Sequence, residues 1–292
     1  MTDAYDAVVV GAGPNGLAAA VELARADRSV LVLEAADTVG GGARSQELTL
    51  PGFLHDVCSA IHPLGVASPF LRALPLAEHG LEWIQPPAPL AHPVDGGVAA
   101  IMERSVEETA AGLGSDGSAY RRLFGPFVDS WEPTLNVALG PRLRLPRHPL
   151  AGIRLGLQGL RSGAGLSRGR FEGAKARALL AGLTGHSVAP LERSGTAAVG
   201  LVLGAAGHAV GWPLARGGSR RIVESLASLL RSLAGEIVVG TRVRSLDDIP
   251  RAGAVLLDVT PRQLIEIAGD RLPAGYRRRL DRYRHGPGVF KV

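Results

Sequence analysis

The sequence predicts an α/β fold in which a Rossmann-like dinucleotide-binding domain is interrupted by a long, largely helical insertion. Three observations predict it. Residues Asp6 to Glu34 run as an apolar β-branched strand, a glycine turn, an Ala/Leu-rich helix and a second strand that ends in an acid. Far downstream, Ala254-Val255-Leu256-Leu257-Asp258 has the unbroken apolar character of a buried parallel strand. Between these stretches, the segment from about residue 90 to 210 is patterned mostly as helix.

In Gly11-Ala12-Gly13-Pro14-Asn15-Gly16 each glycine has a steric task. Gly11 permits the tight turn out of the strand, Gly13 lets backbone approach a pyrophosphate, and Gly16 lets the helix pack closely on the sheet. Pro14 suits the first helical turn because it has no N–H to leave unpaired. The helix N-terminus around Asn15 then offers N–H groups and a positive dipole end to phosphate. Glu34, followed by Ala35, closes the unit as an acceptor for ribose hydroxyls. The helix ends at Ala26-Asp27-Arg28, where glycine is usual, so Asp27 is expected to take a left-handed cap at some steric cost.

Soon after Glu34 comes Gly40-Gly41-Gly42-Ala43-Arg44-Ser45. Together with Glu34-Ala35 it resembles the FAD-binding signature of phytoene desaturases, carotenoid isomerases and flavin amine oxidases. The resemblance implies FAD as cofactor, with Gly41, Gly42, Arg44 and Ser45 along its pyrophosphate. Bare glycine backbone would admit the phosphates and a guanidinium would fork onto their oxygens.

Three further stretches narrow the resemblance: Pro51-Gly52-Phe53-Leu54-His55-Asp56-Val57-Cys58-Ser59-Ala60-Ile61-His62-Pro63-Leu64; Gly207-His208-Ala209-Val210-Gly211-Trp212-Pro213 leading to Arg216-Gly217-Gly218-Ser219; and Tyr283-Arg284-His285-Gly286-Pro287-Gly288-Val289-Phe290-Lys291. They are similar to segments of the phytoene desaturase/carotenoid isomerase-like FAD-dependent oxidoreductases, including those named for a pyridine nucleotide-disulfide oxidoreductase domain. Dithiol chemistry is excluded here, because Cys58 is the only cysteine. The resemblance implies that flavin accepts a hydride from an apolar, polyene- or isoprenoid-like substrate, with oxygen or a quinone as the final acceptor. It also places the backbone of Val243 at the adenine side of FAD. Members of this family continue past the equivalent of Val292 with an element that contacts the flavin, which implies a chain truncated at its C-terminus.

Organisation follows from the same reading. Residues 1–85 are expected to form the first segment of the FAD domain, 86–210 the substrate or cap domain, 211–270 the second FAD segment, and 271–292 the start of a return to the substrate domain. Ser105-Val106-Glu107-Glu108 reads as a helix start, with breaks at Gly112-Leu113-Gly114, Pro141 and Pro149. An apolar helical pattern runs through Ile222, Val223, Leu226, Leu229, Leu230 and Leu233. Strands are expected at Glu236 to Val239 and Thr241 to Leu246, a helix opening at Pro261, and a strand at Val289 to Val292.

Composition bounds the remaining classes. The apolar content suffices for a core of about two domains, no signal peptide precedes the first strand, and a single cysteine suits a reducing cytoplasm. The longest uncharged run, Ser194 to Ala215, is broken by glycines, His208 and Pro213; it reads as a helix-weak, buried pocket wall rather than a membrane span. All but two of the 32 basic residues are arginine, the exceptions being Lys175 and Lys291. Between Arg142 and Arg177, nine of them face only Glu172, with leucines interleaved. Two readings stay open for that segment, a solvated face or peripheral contact with an anionic membrane. Few aromatics and glycine-rich loops argue against nucleic acid, and the eight histidines are too scattered for a metal site.

No catalytic acid or base is assigned. Asp56, Cys58, His62, His208 and Trp212 fall in the resembling segments, and each also has an ordinary structural explanation as cap, core or packing residue. Three other readings share the signature: a flavin amine oxidase, an FAD-binding protein without turnover, and a carotenoid isomerase working through reduced flavin.

Overall fold

The structure, a computed structural model, describes residues 4–140 and 148–289. In chain order its elements are β1 (Ala4–Val10), α1 (Pro14–Arg25), β2 (Val30–Leu33), β3 (Ser45–Glu47), β4 (Leu54–Asp56), α2 (Pro63–Ala67), α3 (Pro69–Arg72), β5 (Trp83–Ile84), β6 (Leu90–Val94) and β7 (Val98–Met102). There follow α4 (Val106–Ala111), α5 (Gly117–Asp129), α6 (Trp131–Leu139), α7 (Pro149–Gly159), α8 (Gly163–Arg170), α9 (Ala174–Gly185) and α10 (Thr196–Ala209). The last group is β8 (Leu214–Ala215), α11 (Arg220–Ser232), β9 (Glu236–Val238), β10 (Arg251–Leu257), α12 (Pro261–Ala268) and α13 (Ala274–Asp281).

The chain divides into two compact units. The first comprises residues 4–61, 73–84 and 214–288. Its centre is a parallel sheet in the order β10-β1-β2-β9, with Val8 opposite both Leu31 and Val255. All four residues of β2 are buried, as expected of a strand covered on both faces. Helices α1 and α11 pack together, and α11 buries Ile222, Val223, Leu226, Leu229 and Leu230 along one face. Tyr5, Val8, Val10, Leu31, Leu33, Val243 and Ile267 form one core cluster. Helix α1 stops at Asp27, which takes φ 58 as its position demanded.

One expected strand is absent. After β9 the chain turns at Gly240 (φ 66) and the stretch from Thr241 to Ser245 is a loop. Ser245 accepts the Asp247 N–H, and the Asp248 carboxylate accepts the N–H groups of Arg244 and Ser245. These side chains satisfy the backbone groups that a ladder would have used.

The second unit comprises residues 62–72, 85–140 and 148–213. It is mainly helical, but β6 and β7 form an antiparallel hairpin within the stretch read as helix. The limits of the units differ from the sequence-based boundaries: residues 62–72, 85 and 211–213 pack with the helical unit, and 271–288 with the sheet unit. Of the strand expected at Val289 to Val292, all but Val289 lies outside the described residues, as do Arg142, Arg144 and Arg147.

At the centre of the helical unit, the supposedly helix-weak run forms the 14-residue helix α10. Its glycines admit neighbours instead of breaking it. A Cβ on Gly200 would lie 2.4 Å from Thr184 Oγ1, one on Gly204 2.3 Å from the Phe124 ring, and one on Gly207 2.5 Å from Met102. Tertiary packing has overridden propensity. Among the described residues no helix is long and apolar enough to cross a membrane.

Candidate functional site

At the carboxyl ends of β1, β2 and β10 the sheet unit holds a cavity of about 520 Å³, walled by the two glycine loops, the loop at 241–244, and α12. This is where open α/β sheets bind ligands.

The glycines are sterically required there. Gly11 has φ 107, and a Cβ on it would lie 2.5 Å from the Asp258 carbonyl oxygen. A Cβ on Gly16 would stand 2.1 Å from the carbonyl oxygen of Gly11, so this residue fixes the close approach of α1 to the end of β1. Gly13 and Gly41 meet backbone to backbone, since a Cβ on Gly41 would be 2.8 Å from Gly13 Cα. Gly11, Gly13, Pro14, Asn15, Glu34, Ala35, Gly41, Gly42 and Val243 all line the cavity. Gly16 does not line it; its role is in the packing behind it.

Glu34 is held by backbone. Its carboxylate accepts the N–H of Ala12 at 2.8 Å and that of Ala36 at 2.9 Å, which fixes it at the end of β2. Val243 is only 7% exposed and joins the core cluster, so its side chain anchors the loop that carries it into the cavity wall.

The Gly-Gly-x-x-Arg-Ser element divides between two places. Gly41 and Gly42 line the cavity, but Arg44 and Ser45 line a second one of about 380 Å³ with Arg220 and Arg231. Arg44 Nε donates to the carbonyl of Gly41. Ser45 donates to Asp56 and accepts the N–H of Arg220; Asp56 in turn accepts the N–H of Ser219, whose hydroxyl donates to Ser59. Three segments singled out in the sequence thus meet in one hydrogen-bonded knot, and Gly218, at φ 92, leaves it room. In this knot Asp56 acts as a structural acceptor. Cys58 is exposed.

The other candidates belong to the helical unit. His208 is buried, and its Nδ1 lies 3.1 Å from the Arg104 carbonyl while its Nε2 lies 2.8 Å from the Tyr120 hydroxyl. A carbonyl can only accept, so Nδ1 carries the proton and Nε2 accepts from Tyr120. Burial holds the imidazole below the ordinary histidine value, and the carbonyls of Arg104 and Glu103 oppose that shift. Burial likewise pushes the Tyr120 hydroxyl above the usual tyrosine range. Trp212 receives the edge-on ring of His186, and His62 stands at the N-cap position of α2. Among the described residues no cluster of His, Cys, Asp or Glu could hold a metal ion.

Sequence reasoning passed over Asp258. Its carboxylate accepts the Gly16 N–H at 2.8 Å and lines the cavity beside Gln263 and Glu266 of α12, with Arg242 and Arg244 from the facing loop. The only available signal was an acid at the end of an apolar strand.

A parallel sheet, a glycine turn into a helix and an acid ending the second strand define a dinucleotide-binding protein of Rossmann-like fold. Comparison with known proteins agrees. Residues 9–74 match the model of the NAD(P)-binding Rossmann-like domain. Over 78 residues the chain is 40% identical to mouse (Mus musculus) pyridine nucleotide-disulfide oxidoreductase domain-containing protein 2, a stretch covering 27% of this chain and 13% of that protein. An oxidoreductase from Methanosarcina mazei superposes with a TM-score of 0.64 at 16% identity, covering 94% of this chain and 65% of the other. Wild-type putrescine oxidase bound to putrescine gives 0.58 at 22% identity, covering 95% and 63%. The chain therefore spans less than two thirds of each of these proteins, and shares with the solved ones the fold of oxidoreductases.

Proposed function

We propose that the chain is the dinucleotide-binding and partial substrate portion of an FAD-dependent oxidoreductase of the phytoene desaturase-like type. One observation carries the proposal: Gly11, Gly13, Gly41 and Gly42 line a single cavity, with Glu34 fixed in its wall by the Ala12 N–H of the first glycine turn. The meeting of two bare glycine loops fits a pyrophosphate, which needs backbone approach from both sides. The second loop is what distinguishes this arrangement from a simple Gly-x-Gly-x-x-Gly turn and favours FAD. Glu34 would hold ribose hydroxyls, the first turn of α1 the pyrophosphate, and the backbone at Val243 the adenine. When bound, flavin supplies the hydride acceptor. The protein's part is to position an apolar substrate, with residues 86–210 forming its cap, and to exclude water. Oxygen or a quinone would then reoxidise the flavin, as the resemblance to phytoene desaturase-like enzymes implies.

A second reading, amine oxidation, is favoured by the likeness of fold to putrescine oxidase. The two differ in the C–H bond oxidised.

Purification without added cofactor, followed by a visible spectrum and chromatography of released flavin, tests the proposal. A yellow protein with stoichiometric FAD is expected. Folded protein that is colourless and takes up no added FAD refutes the reading for this chain. With FAD bound, anaerobic bleaching by a polyene or by putrescine separates the two substrate classes.

A further inference from the structure

The cavity contains a charge that its proposed ligand should oppose. The N-terminus of α1 carries unpaired N–H groups and the positive end of the helix dipole, the features that attract a pyrophosphate. Here the carboxylate of Asp258 already accepts the Gly16 N–H at 2.8 Å. The same oxygen lies 3.4 Å from where a Cβ on Gly13 would stand, so the carboxylate sits against the backbone that a pyrophosphate would approach. It arrives there because β10 pairs with β1 in register through Val10 and Leu257, which sets Asp258 at the mouth of the glycine turn. Asp258 N–H also donates to the Val10 carbonyl at 2.9 Å, and its own carbonyl packs against Gly11. Asp258 is exposed, but its backbone is held by Val10 and its carboxylate by the Gly16 N–H.

We propose that Asp258 sets the affinity of the site: its hydrogen bond holds the first turn of α1 in place, while its negative charge weakens binding of the pyrophosphate. The proposal rests on the dinucleotide reading above and adds to it a residue that tunes the site. Two effects of opposite sign reside in one side chain, and they can be separated. Asparagine keeps an oxygen that can accept the Gly16 N–H and removes the charge; alanine removes both. Two like charges a few ångströms apart at a partly exposed site repel by enough to change affinity about ten-fold.

The other charged groups facing this space are Glu34 at the end of β2, Arg242 and Arg244 in the facing loop, and Glu266 on α12.

The experiment is a titration of the purified chain, stripped of flavin, with FAD followed by flavin fluorescence at pH 7.5, with ADP and adenosine as competitors. Asp258→Asn should bind FAD and ADP about ten-fold more tightly than wild type. Adenosine, which carries no phosphate, should compete equally well in both proteins, a result that a general loosening of the fold would not give. Asp258→Ala should bind less tightly than Asp258→Asn, because the Gly16 N–H loses its acceptor. If wild type binds FAD and Asp258→Asn binds it no better, the proposal about Asp258 fails while the FAD reading stands. Folded wild type that binds neither FAD nor ADP overturns both.

Discussion

Gly16 and Gly42 belong to neighbouring glycine motifs but do different work. A methyl group on Gly16 would meet the carbonyl oxygen of Gly11 at 2.1 Å, a backbone contact that no rotamer can relieve. Gly16→Ala is expected to destabilise the sheet unit by about 1–3 kcal/mol, read as a lower denaturant midpoint. Nothing lies within 4 Å of a Cβ built on Gly42, which lines the cavity. Gly42→Ala should leave the midpoint unchanged and weaken FAD binding; an equal loss of stability in both variants would contradict this division. The turn at Gly11 and the close packing at Gly16 were legible in the sequence because strand, turn and helix are contiguous. Asp258 was not legible, since its partner Gly16 is 242 residues away and only the β1–β10 register brings them together. Arg44 was assigned to the pyrophosphate by resemblance, whereas the structure places it in the adjoining cavity with Arg220 and Arg231.

Between elements, the join of α5 to α10 has a pH dependence of definite sign. The Tyr120–His208 hydrogen bond connects the two helices in the core. His208 is held below 6.5 in the folded protein by burial, so the unfolded chain binds a proton first. Stability is therefore complete above that value and is lost as pH falls from 6.5 toward the lowered folded value. His92, whose ring packs against Gly182 and whose value burial also lowers, acts in the same direction. The denaturant midpoint of the helical unit is expected to drop between pH 7 and pH 5, and His208→Gln should flatten the profile without abolishing it. A midpoint that rises on acidification would refute the assignment. The run that forms α10 read as helix-weak because of its seven interruptions; the neighbours that fill the glycine gaps, Thr184, Phe124 and Met102, are invisible in a local window. The hairpin of β6 and β7 had a signal that was passed over. Asp95-Gly96-Gly97 joins the strands, with both glycines at positive φ.

For the whole molecule, the excess of basic over acidic residues, 32 against 27, is concentrated rather than spread. Helix α7 lies in the basic stretch and turns its apolar side outward: Leu150 is 79%, Ile153 58%, Leu157 69% and Leu160 71% exposed. These residues recur at helical spacing, while Ala151, Leu155 and Gly159 are buried on the other side. With Arg161, Arg168, Arg170 and Lys175 also exposed, the predicted behaviour is adsorption to anionic vesicles that weakens with salt. Replacing Leu150 and Leu157 with Glu should reduce co-sedimentation with phosphatidylglycerol vesicles about ten-fold or more. Wild type that stays in the supernatant at low salt would leave the solvated-face reading in its place.

The position of β10 beside β1 has a consequence for how the protein is made. A ribosome releases β1 and β2 early, but their outer neighbours β10 and β9 lie beyond residue 235, after the entire helical unit. At about 5–20 residues per second, the first two strands wait on the order of ten seconds or longer with open edges. The helical unit, whose main contacts are closed by residue 213, can assemble during that interval. The nucleotide-binding sheet is thus begun before the helical unit and completed after it, and its strand edges stay open while that unit is made.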